Sequence, residues 1–237
     1  MKRSISIIIS AYKAQEFIEE CLDSIEKQTY FKDFNDYEIL LGFDGCKDTL
    51  NKVMSIKDKY KNLRLFWFEE NNGPYLVFNT LISKSKYDIL VTFGADDIMY
   101  DFFIEKNINM LTNNRIIRTK CSNFKHPYKN KITHIYNVDG VVFFNKHEFN
   151  YINGFQNWRC GSDSDLISRL NMNNVIRIDN DVSTFLRRVH DKSLTNIEGF
   201  KYGSEYRKSR QSLINQGVKL KKIINDKFEI YEKVIEI

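Results

Sequence analysis

Four apolar runs in the first part of the chain each stop at a polar turn: Ser4–Ser10 (SISIIIS), Tyr37–Phe43 (YEILLGF), Leu63–Phe68 (LRLFWF) and Ile89–Phe93 (ILVTF). Between them, apolar residues recur at helical spacing: Phe17, Ile18, Cys21, Leu22 and Ile25, then Leu50, Val53, Met54 and Tyr60, then a short helix over Tyr75–Ser85. Strands alternating with helices at this spacing make βαβ units, hence a mostly parallel sheet with right-handed crossovers. The residues that follow the runs, Ser10–Tyr12, Asp44–Asp48, Asn71–Pro74 and Asp96–Asp97, then gather along the carboxyl edge of that sheet, where ligands of open α/β sheets bind.

The fourth run carries the sharpest signal. In Tyr87–Met99 (YDILVTFGADDIM) a β-branched stretch suited to burial on both faces ends in Gly94-Ala95-Asp96-Asp97. Two adjacent carboxylates at such a place are costly unless something positive meets them. A divalent cation carrying a diphosphate answers both needs, because Mg²⁺ and Mn²⁺ prefer carboxylate, phosphate and water oxygens. The plainer reading is an Asp pair capping the helix that follows from about Asp101. Four polar clusters at four strand ends are harder to explain by capping alone.

The chain has 237 residues, 42% of them hydrophobic, enough for one sizeable core. A net charge of +5 suits an anionic substrate and falls far short of a dedicated nucleic-acid binder. The four cysteines have no CxxC spacing and read as free thiols in a reducing compartment. No signal peptide is visible, and no apolar run approaches the ~18 residues of a spanning helix. A cytoplasmic protein, soluble or peripheral to the inner face of a membrane, is expected.

After Asp97 the alternation breaks. A helix is expected over Phe102–Leu111, with short strands over Ile116–Thr119, Ile132–Asn137 and Val141–Asn145, the last two flanking a Val138-Asp139-Gly140 turn. A helix near Lys146–Tyr151, a tight Asn153-Gly154-Phe155 turn, a helix from Asp163 and a strand over Val182–Arg188 follow. From about Gly199 the chain is Lys-rich and helical in pattern, with Leu213, Val218, Ile223, Ile224 and Phe228 as apolar positions. Its acids dilute the basic face. A structural or oligomer-forming helix is therefore favoured over one docked on anionic lipid.

At this point the sequence resembles a family 2 glycosyltransferase of the GT-A fold, over roughly the first 195 residues. ISIIISAYKAQEFIEECLDSIEKQTY follows that family's first strand and helix. GFDGCKD resembles its DDGSxD nucleoside turn, and ENNGPYLVFN its NxG loop and following helix. FGADD stands at the DxD position. INGF and then GSDSDLISRL resemble the glycine turn and acidic acceptor-side helix, and LRRVHDKS the terminal RxHxxS segment. Six motifs in the right order make a specific match. Three positions depart from it: Gly94 stands for the first Asp of DxD, Phe43 for the first Asp of the nucleoside turn, and Phe78 for an arginine common before Asn79. These point to a weaker metal site or a changed donor.

The resemblance implies an α/β GT-A architecture over residues 1–198. A Rossmann-like nucleotide-sugar half (1–100) and an acceptor half (101–198) share a mostly parallel sheet, and a helical extension (199–237) follows. It implies sugar transfer from a nucleoside diphosphate donor, expected to be a UDP-sugar, to a hydroxyl of a saccharide or glycolipid. Asp96 is the expected ligand of Mn²⁺ or Mg²⁺, with His190 as a second. Asp97 lies beside them for sugar hydroxyls or a supporting role. Arg188 would pair with diphosphate oxygens, for which a guanidinium is well shaped. Ser10, Ala11, Tyr12, Asp44, Asn72 and Gly73 are expected to bind the donor, Asp44 by accepting from the base and Tyr12 by stacking or simply packing. Asp163, at a helix start where the dipole favours its ionised form, is the expected general base, with Asp165 as the weaker candidate. Each has a plainer reading: an N-cap for Asp163, an Asp-Gly turn for Asp44, a packed histidine for His190. One base without a second carboxylate as nucleophile means single displacement and inversion. A nucleotidyltransferase should carry a Gly-rich basic loop after the first strand, and SAYKAQE has no glycine. A degenerate sugar-nucleotide-binding scaffold remains the non-enzymatic alternative.

Overall fold

In the computed structural model, residues 2–221 and 227–237 are described. Ile223 and Ile224, counted above with the C-terminal helical pattern, lie outside the described residues. Nine strands form one sheet: β1 Ile5–Ala11, β2 Tyr37–Asp44, β3 Leu63–Phe68, β4 Ile89–Gly94, β5 Ile98–Met99, β6 Arg115–Lys125, β7 Ile132–Asn145, β8 Ile176–Val189 and β9 Ile235–Glu236. Their spatial order is β5-β8-β6-β7-β4-β1-β2-β3-β9. β4, β1, β2 and β3 run parallel, as the alternation requires. β7 runs antiparallel to both β4 and β6, while β6 and β8 are parallel.

The parallel strands are buried on both faces and feed two cores by alternate residues. Ile5, Ile7 and Ile9 of β1, Ile39 and Leu41 of β2, and Val91 and Phe93 of β4 face one core. Ile8, Leu40 and Leu90 face the other. The first core is covered by α1 (Ile18–Glu26), which buries Ile18, Cys21, Leu22 and Ile25. The second is covered by α3 (Pro74–Lys84), with Tyr75, Val77, Phe78, Leu81 and Ile82 turned inward. The other helices are α2 (Lys47–Met54), α4 (Phe103–Ile108), α5 (Lys146–Tyr151), α6 (Ser162–Met172) and α7 (Glu205–Leu220).

Several features differ from the sequence reading: the strands expected over Ile116–Thr119 and Val182–Arg188 run over Arg115–Lys125 and Ile176–Val189, and β5 is not among those expected. Val138-Asp139-Gly140 is no turn: β7 passes through it unbroken from Ile132 to Asn145. On β6, Arg118 pairs with Val142 and Lys120 with Asn137, so four residues of β7 lie opposite Thr119 alone. This bulge throws Val138–Val141 out of the ladder. Thr119 Oγ1 then donates to the Val141 carbonyl (2.7 Å) and Thr92 Oγ1 to that of Gly140 (3.1 Å), which replaces the lost ladder bonds. The segment 199–237, expected to be helical, is helical over Glu205–Leu220 and ends in β9, antiparallel to β3.

Candidate active site

The register of the parallel strands sets the site. Ser10 pairs with Gly42 on one side and Gly94 on the other, and Asp44 with Phe68, so the carboxyl ends are flush. Just beyond them is a cavity of about 420 Å³. Asp96 and Asp97 reach it from the end of β4, Asp163 from the first turn of α6, Asp139 from the β7 bulge, and Arg187 and Arg188 from β8. Residues far apart in sequence thus meet where the topology placed them.

Asp163 Oδ1 accepts a hydrogen bond from the Tyr75 hydroxyl at 2.9 Å. Burial and the nearby Asp139 carboxylate push the Asp163 pKa up, while the Tyr75 hydroxyl and backbone N–H groups pull against them. Asp139 is itself engaged: Arg118 donates to it at 3.0 Å and Ser164 at 2.6 Å. Asp165, the other candidate base, is closed off. It lies in a buried pair with Arg169 (2.7 Å), whose remaining donors go to the carbonyls of Ile152 (2.5 Å) and Gly154 (2.6 Å). Asp165 therefore joins α6 to the Asn153-Gly154 turn and does not line the cavity.

Asp96 Oδ2 lies 2.8 Å from His190 Nε2. His190 does not itself line the cavity. Its ring packs on Phe17, with centroids 4.7 Å apart, and its Nδ1 is buried with no partner among the described residues. The 2.8 Å separation is close to the ~3.0 Å edge of an octahedron built on bonds of about 2.1 Å, so the pair suits two adjacent positions around Mg²⁺ or Mn²⁺. No group of three His, Cys, Asp or Glu side chains with that ability exists among the described residues. Any further ligands would then be donor phosphate and water, the usual arrangement for a metal that works on a diphosphate. Asp97 is buried, accepts from the Arg188 backbone N–H at 2.9 Å, and so ties β8 to the end of β4. Burial first, and then the Asp96 charge, hold its pKa well above the carboxylate range. Gly94 explains itself here: a Cβ would meet Asp97 Oδ2 at 2.9 Å and Asp96 Oδ1 at 3.0 Å. Any side chain there displaces one of the two acids.

Arg188 does not offer a free guanidinium. Its Nε donates to the Asp96 carbonyl (2.8 Å), one terminal nitrogen meets Glu20 (2.5 Å) and the other lies 3.1 Å from His126 Nδ1. The rings of Phe17 and Phe124 lie beneath it, at 4.6 and 4.9 Å. With each of its three nitrogens engaged and 2% of its side chain exposed, it braces the Asp96 turn. Neighbouring strand residues point to opposite faces. Arg187 turns the other way, donates to Tyr136 Oη at 2.8 Å, and is the cation that sequence reasoning missed.

The remaining donor-side residues form a second group along the same edge. Both Asp44 oxygens accept backbone N–H groups, of Asn72 at 2.7 Å and Gly73 at 2.9 Å. Asp44 thus fixes the loop after β3, and its occupied oxygens leave less capacity for the base than expected. The loop is also gripped from the segment before α6, where Arg159 donates to the Asn71 side chain and, at 2.9 Å, to its carbonyl. Ser10 and Ala11 lie at the end of β1, and Tyr12 beyond it is 46% exposed, with the Lys13 ammonium over its ring at 5.1 Å. Phe43 is buried in the first core, while Phe78 lines the cavity beside Tyr75.

An open α/β sheet with acids at its carboxyl edge and an antiparallel return strand beside them defines a GT-A nucleotide-sugar fold. The sequence matches the family described as Glycosyl transferase family 2 over residues 6–165, and the chain belongs to that family. An uncharacterized glycosyltransferase of Haemophilus influenzae is 28% identical over 116 residues, covering 48% of this chain and 45% of that protein. The chain spans less than half the length of the curated relatives it matches. Among solved structures, mannosyltransferase PcManGT from Pyrobaculum calidifontis, in complex with GDP-Man and Mn²⁺, aligns at TM-score 0.68 and 17% identity. The match covers 81% of this chain and 59% of that one. S. aureus TarS 1–349 in complex with UDP-GlcNAc aligns at 0.65 and 14% identity, covering 80% and 60%. No helix among the described residues is long and apolar enough to cross a membrane.

Proposed function

We propose that the chain transfers a sugar from a nucleoside diphosphate, a UDP-sugar, to a hydroxyl of a saccharide or glycolipid acceptor with inversion. The observation that carries this reading is the single cavity holding Asp96 and Asp97 on one side and Asp163 on the other. Asp163 takes the proton of the acceptor hydroxyl as its oxygen attacks the anomeric carbon. The bond from that carbon to the diphosphate breaks on the opposite face, and the electron pair leaves with the nucleoside diphosphate. Burial favours this role, since a base works best with its pKa near the operating pH. Asp96 and His190 would hold Mn²⁺ or Mg²⁺, which when bound neutralises the leaving diphosphate. Arg187 adds a fixed cation on that side, in the part expected of Arg188. Asp139, the other carboxylate near Asp163, is held in an ion pair with Arg118 and accepts a hydrogen bond from Ser164. No free second carboxylate therefore stands beside Asp163 among the described residues, which supports single displacement. The alternative of a non-catalytic sugar-nucleotide scaffold differs in outcome.

A melting-temperature screen of UDP-, GDP- and CMP-sugars with and without Mn²⁺ tests this, because a ligand at 100 times its Kd stabilises the native state by about 2.7 kcal/mol. A UDP-sugar shift that needs Mn²⁺ and disappears in Asp96→Asn is expected. Asp163→Asn should keep the shift and lose about 10²–10⁴-fold in turnover. Binding with no turnover to water or any acceptor would favour the scaffold, and a shift unaffected by Asp96→Asn would put the metal elsewhere.

A further inference from the structure

A second hollow, of about 300 Å³, adjoins the cavity and shares Ser164, Tyr202 and Arg207 with it. Arg207, Lys208 and Arg210 line it, and no acidic residue does among the described residues. It lies where α6 and α7 both begin: Gly161 precedes α6, and Gly203 precedes the Ser204 cap of α7. Unsatisfied N–H groups at helix starts add positive potential to that of the three cations. The acids nearest in sequence are occupied. Asp165 is closed on Arg169 and Asp163 turns to Tyr75, while Glu205, 89% exposed, shares Lys208 in a solvent-screened surface pair (2.7 Å) that an anion in the groove has to compete with. The Arg210 guanidinium lies over the rings of Trp158 (5.0 Å) and Tyr206 (4.8 Å), and its Nε is buried without a hydrogen-bond partner among the described residues. Nε itself is closed to the groove, but the planar, charged guanidinium held on these two rings is well matched to an oxyanion.

We infer that this groove is an anion subsite for the acceptor, which binds a phosphate group carried near the hydroxyl that Asp163 deprotonates. The inference rests on the glycosyltransferase reading, adds a phosphate to its acceptor and extends the acceptor class to polyols. The acceptor is a phosphate-bearing polyol or saccharide rather than a neutral glycan. The groove then registers the acceptor, since a phosphate seated on Arg210 and Lys208 leaves a neighbouring hydroxyl in the cavity shared through Ser164 and Arg207.

The test uses the whole chain and its Lys208→Gln and Arg210→Gln variants. Each is titrated calorimetrically with a phosphodiester-linked glycerol oligomer, with an uncharged oligosaccharide of similar length, and with an oligouronate. The UDP-sugar melting shift is read in parallel. The phosphodiester oligomer is expected to bind the parent in a salt-sensitive manner and to lose about tenfold or more in affinity in each variant. The uncharged oligosaccharide should bind no better than the background. Equal affinity of the phosphodiester oligomer for all three proteins would overturn the inference, as would an uncharged chain that binds as tightly. An oligouronate that competes equally would overturn the assignment to phosphate. Lys208 is exposed, so Lys208→Gln keeps the test valid if Arg210→Gln fails to fold. Absence of the donor shift in the parent would instead remove the glycosyltransferase reading, a separate result.

Discussion

Tyr75→Phe isolates one bond at the centre of the site. The substitution deletes only the hydroxyl that donates to Asp163 Oδ1 at 2.9 Å. The ring keeps its packing on Phe155 (5.3 Å) and Phe78 (6.3 Å), so no cavity forms. A hydrogen bond to a charged group contributes about 1.5–3 kcal/mol net, and one to a neutral group about 0.5–1.5. The difference, about 1–1.5 kcal/mol, is the extent to which Tyr75 favours the carboxylate over the acid. At 1.36 kcal/mol per unit it corresponds to about one pKa unit. The hydroxyl lowers the Asp163 pKa, so its removal raises it. A base with a higher pKa ionises later, and the acid limb of the pH–rate profile should move up by about one unit. The same cycle requires the stability loss caused by the substitution to grow by about 1–1.5 kcal/mol as pH rises through the Asp163 titration. Carboxyl-carbon NMR titration of the parent and the variant reads the shift without knowledge of the acceptor, and urea unfolding at two pH values reads the stability. Superimposable titrations, with Asp163→Asn inactive, would refute the idea that Tyr75 tunes the base.

Three further outcomes follow from the geometry. Asp163→Asn should raise the melting temperature at pH 7. Its folded pKa is raised, so its contribution to stability is full below about pH 3.9 and is lost as pH rises through the folded value. Asp165→Asn should do the opposite, since it strands the buried Arg169 and costs about 3–5 kcal/mol, or on the order of 10 °C in Tm. Comparable loss of turnover in two equally stable variants would contradict this division of labour. Gly94→Ala should cost about 1–3 kcal/mol in urea unfolding and weaken the Mn²⁺-dependent donor shift, because its Cβ collides with both Asp96 and Asp97.

The parallel half was legible because burial on both faces leaves a continuous apolar run, and each run here ends within one residue of its strand's end. That Asp96 and Asp97 lie at the carboxyl edge followed from topology, since the strand end that carries them is on that edge; Asp163, in the first turn of α6, was legible only through the resemblance of GSDSDLISRL. Side-chain commitments were not legible. Both Arg187 and Arg188 line the cavity, and nothing in LRRVH shows that the guanidinium of Arg188 is committed to Asp96, Glu20 and His126. Asp44 could be assigned to a turn, but its two backbone partners lie 28 and 29 residues further on, and no local pattern marks them. The Asp139-Gly140 pair misled because the same residues serve turns and bulges. Here the long partner β6 keeps the strand going. Tyr75 carried no signal beyond its place after Pro74, where an inward-facing aromatic reads simply as core. β9, two residues long, is too short to show a period.

The C-terminal return is part of the same construction. Phe228 packs against Phe149 (5.9 Å) and lies directly on the Gly154 backbone, where even a Cβ would come within 2.6 Å of it. Gly154 is also where Arg169 delivers one of its donors, so Phe228 covers the turn that anchors α6 and hence Asp163. Further on, the Tyr231 N–H donates to Thr80 on α3 (2.8 Å), and Glu236 takes Arg64 in a two-point pair at 2.7 and 3.0 Å beside β3. Before the return, Tyr206 of α7 accepts from the Arg159 backbone (2.9 Å), and Arg159 holds the Asn71 loop. The segment beyond the family motifs thus grips both α6, which carries Asp163, and the Asn71 loop. Phe228→Ala is the direct test. The side chain is half-buried, so the cost should fall just below the 3–5 kcal/mol of a core phenylalanine, at about 2–3 kcal/mol. Hydrogen exchange should accelerate at Gly154 and the start of α6 while β1 and β2 stay protected. Uniform acceleration over the whole sheet would mean that Phe228 stabilises the fold globally and has no particular hold on the base.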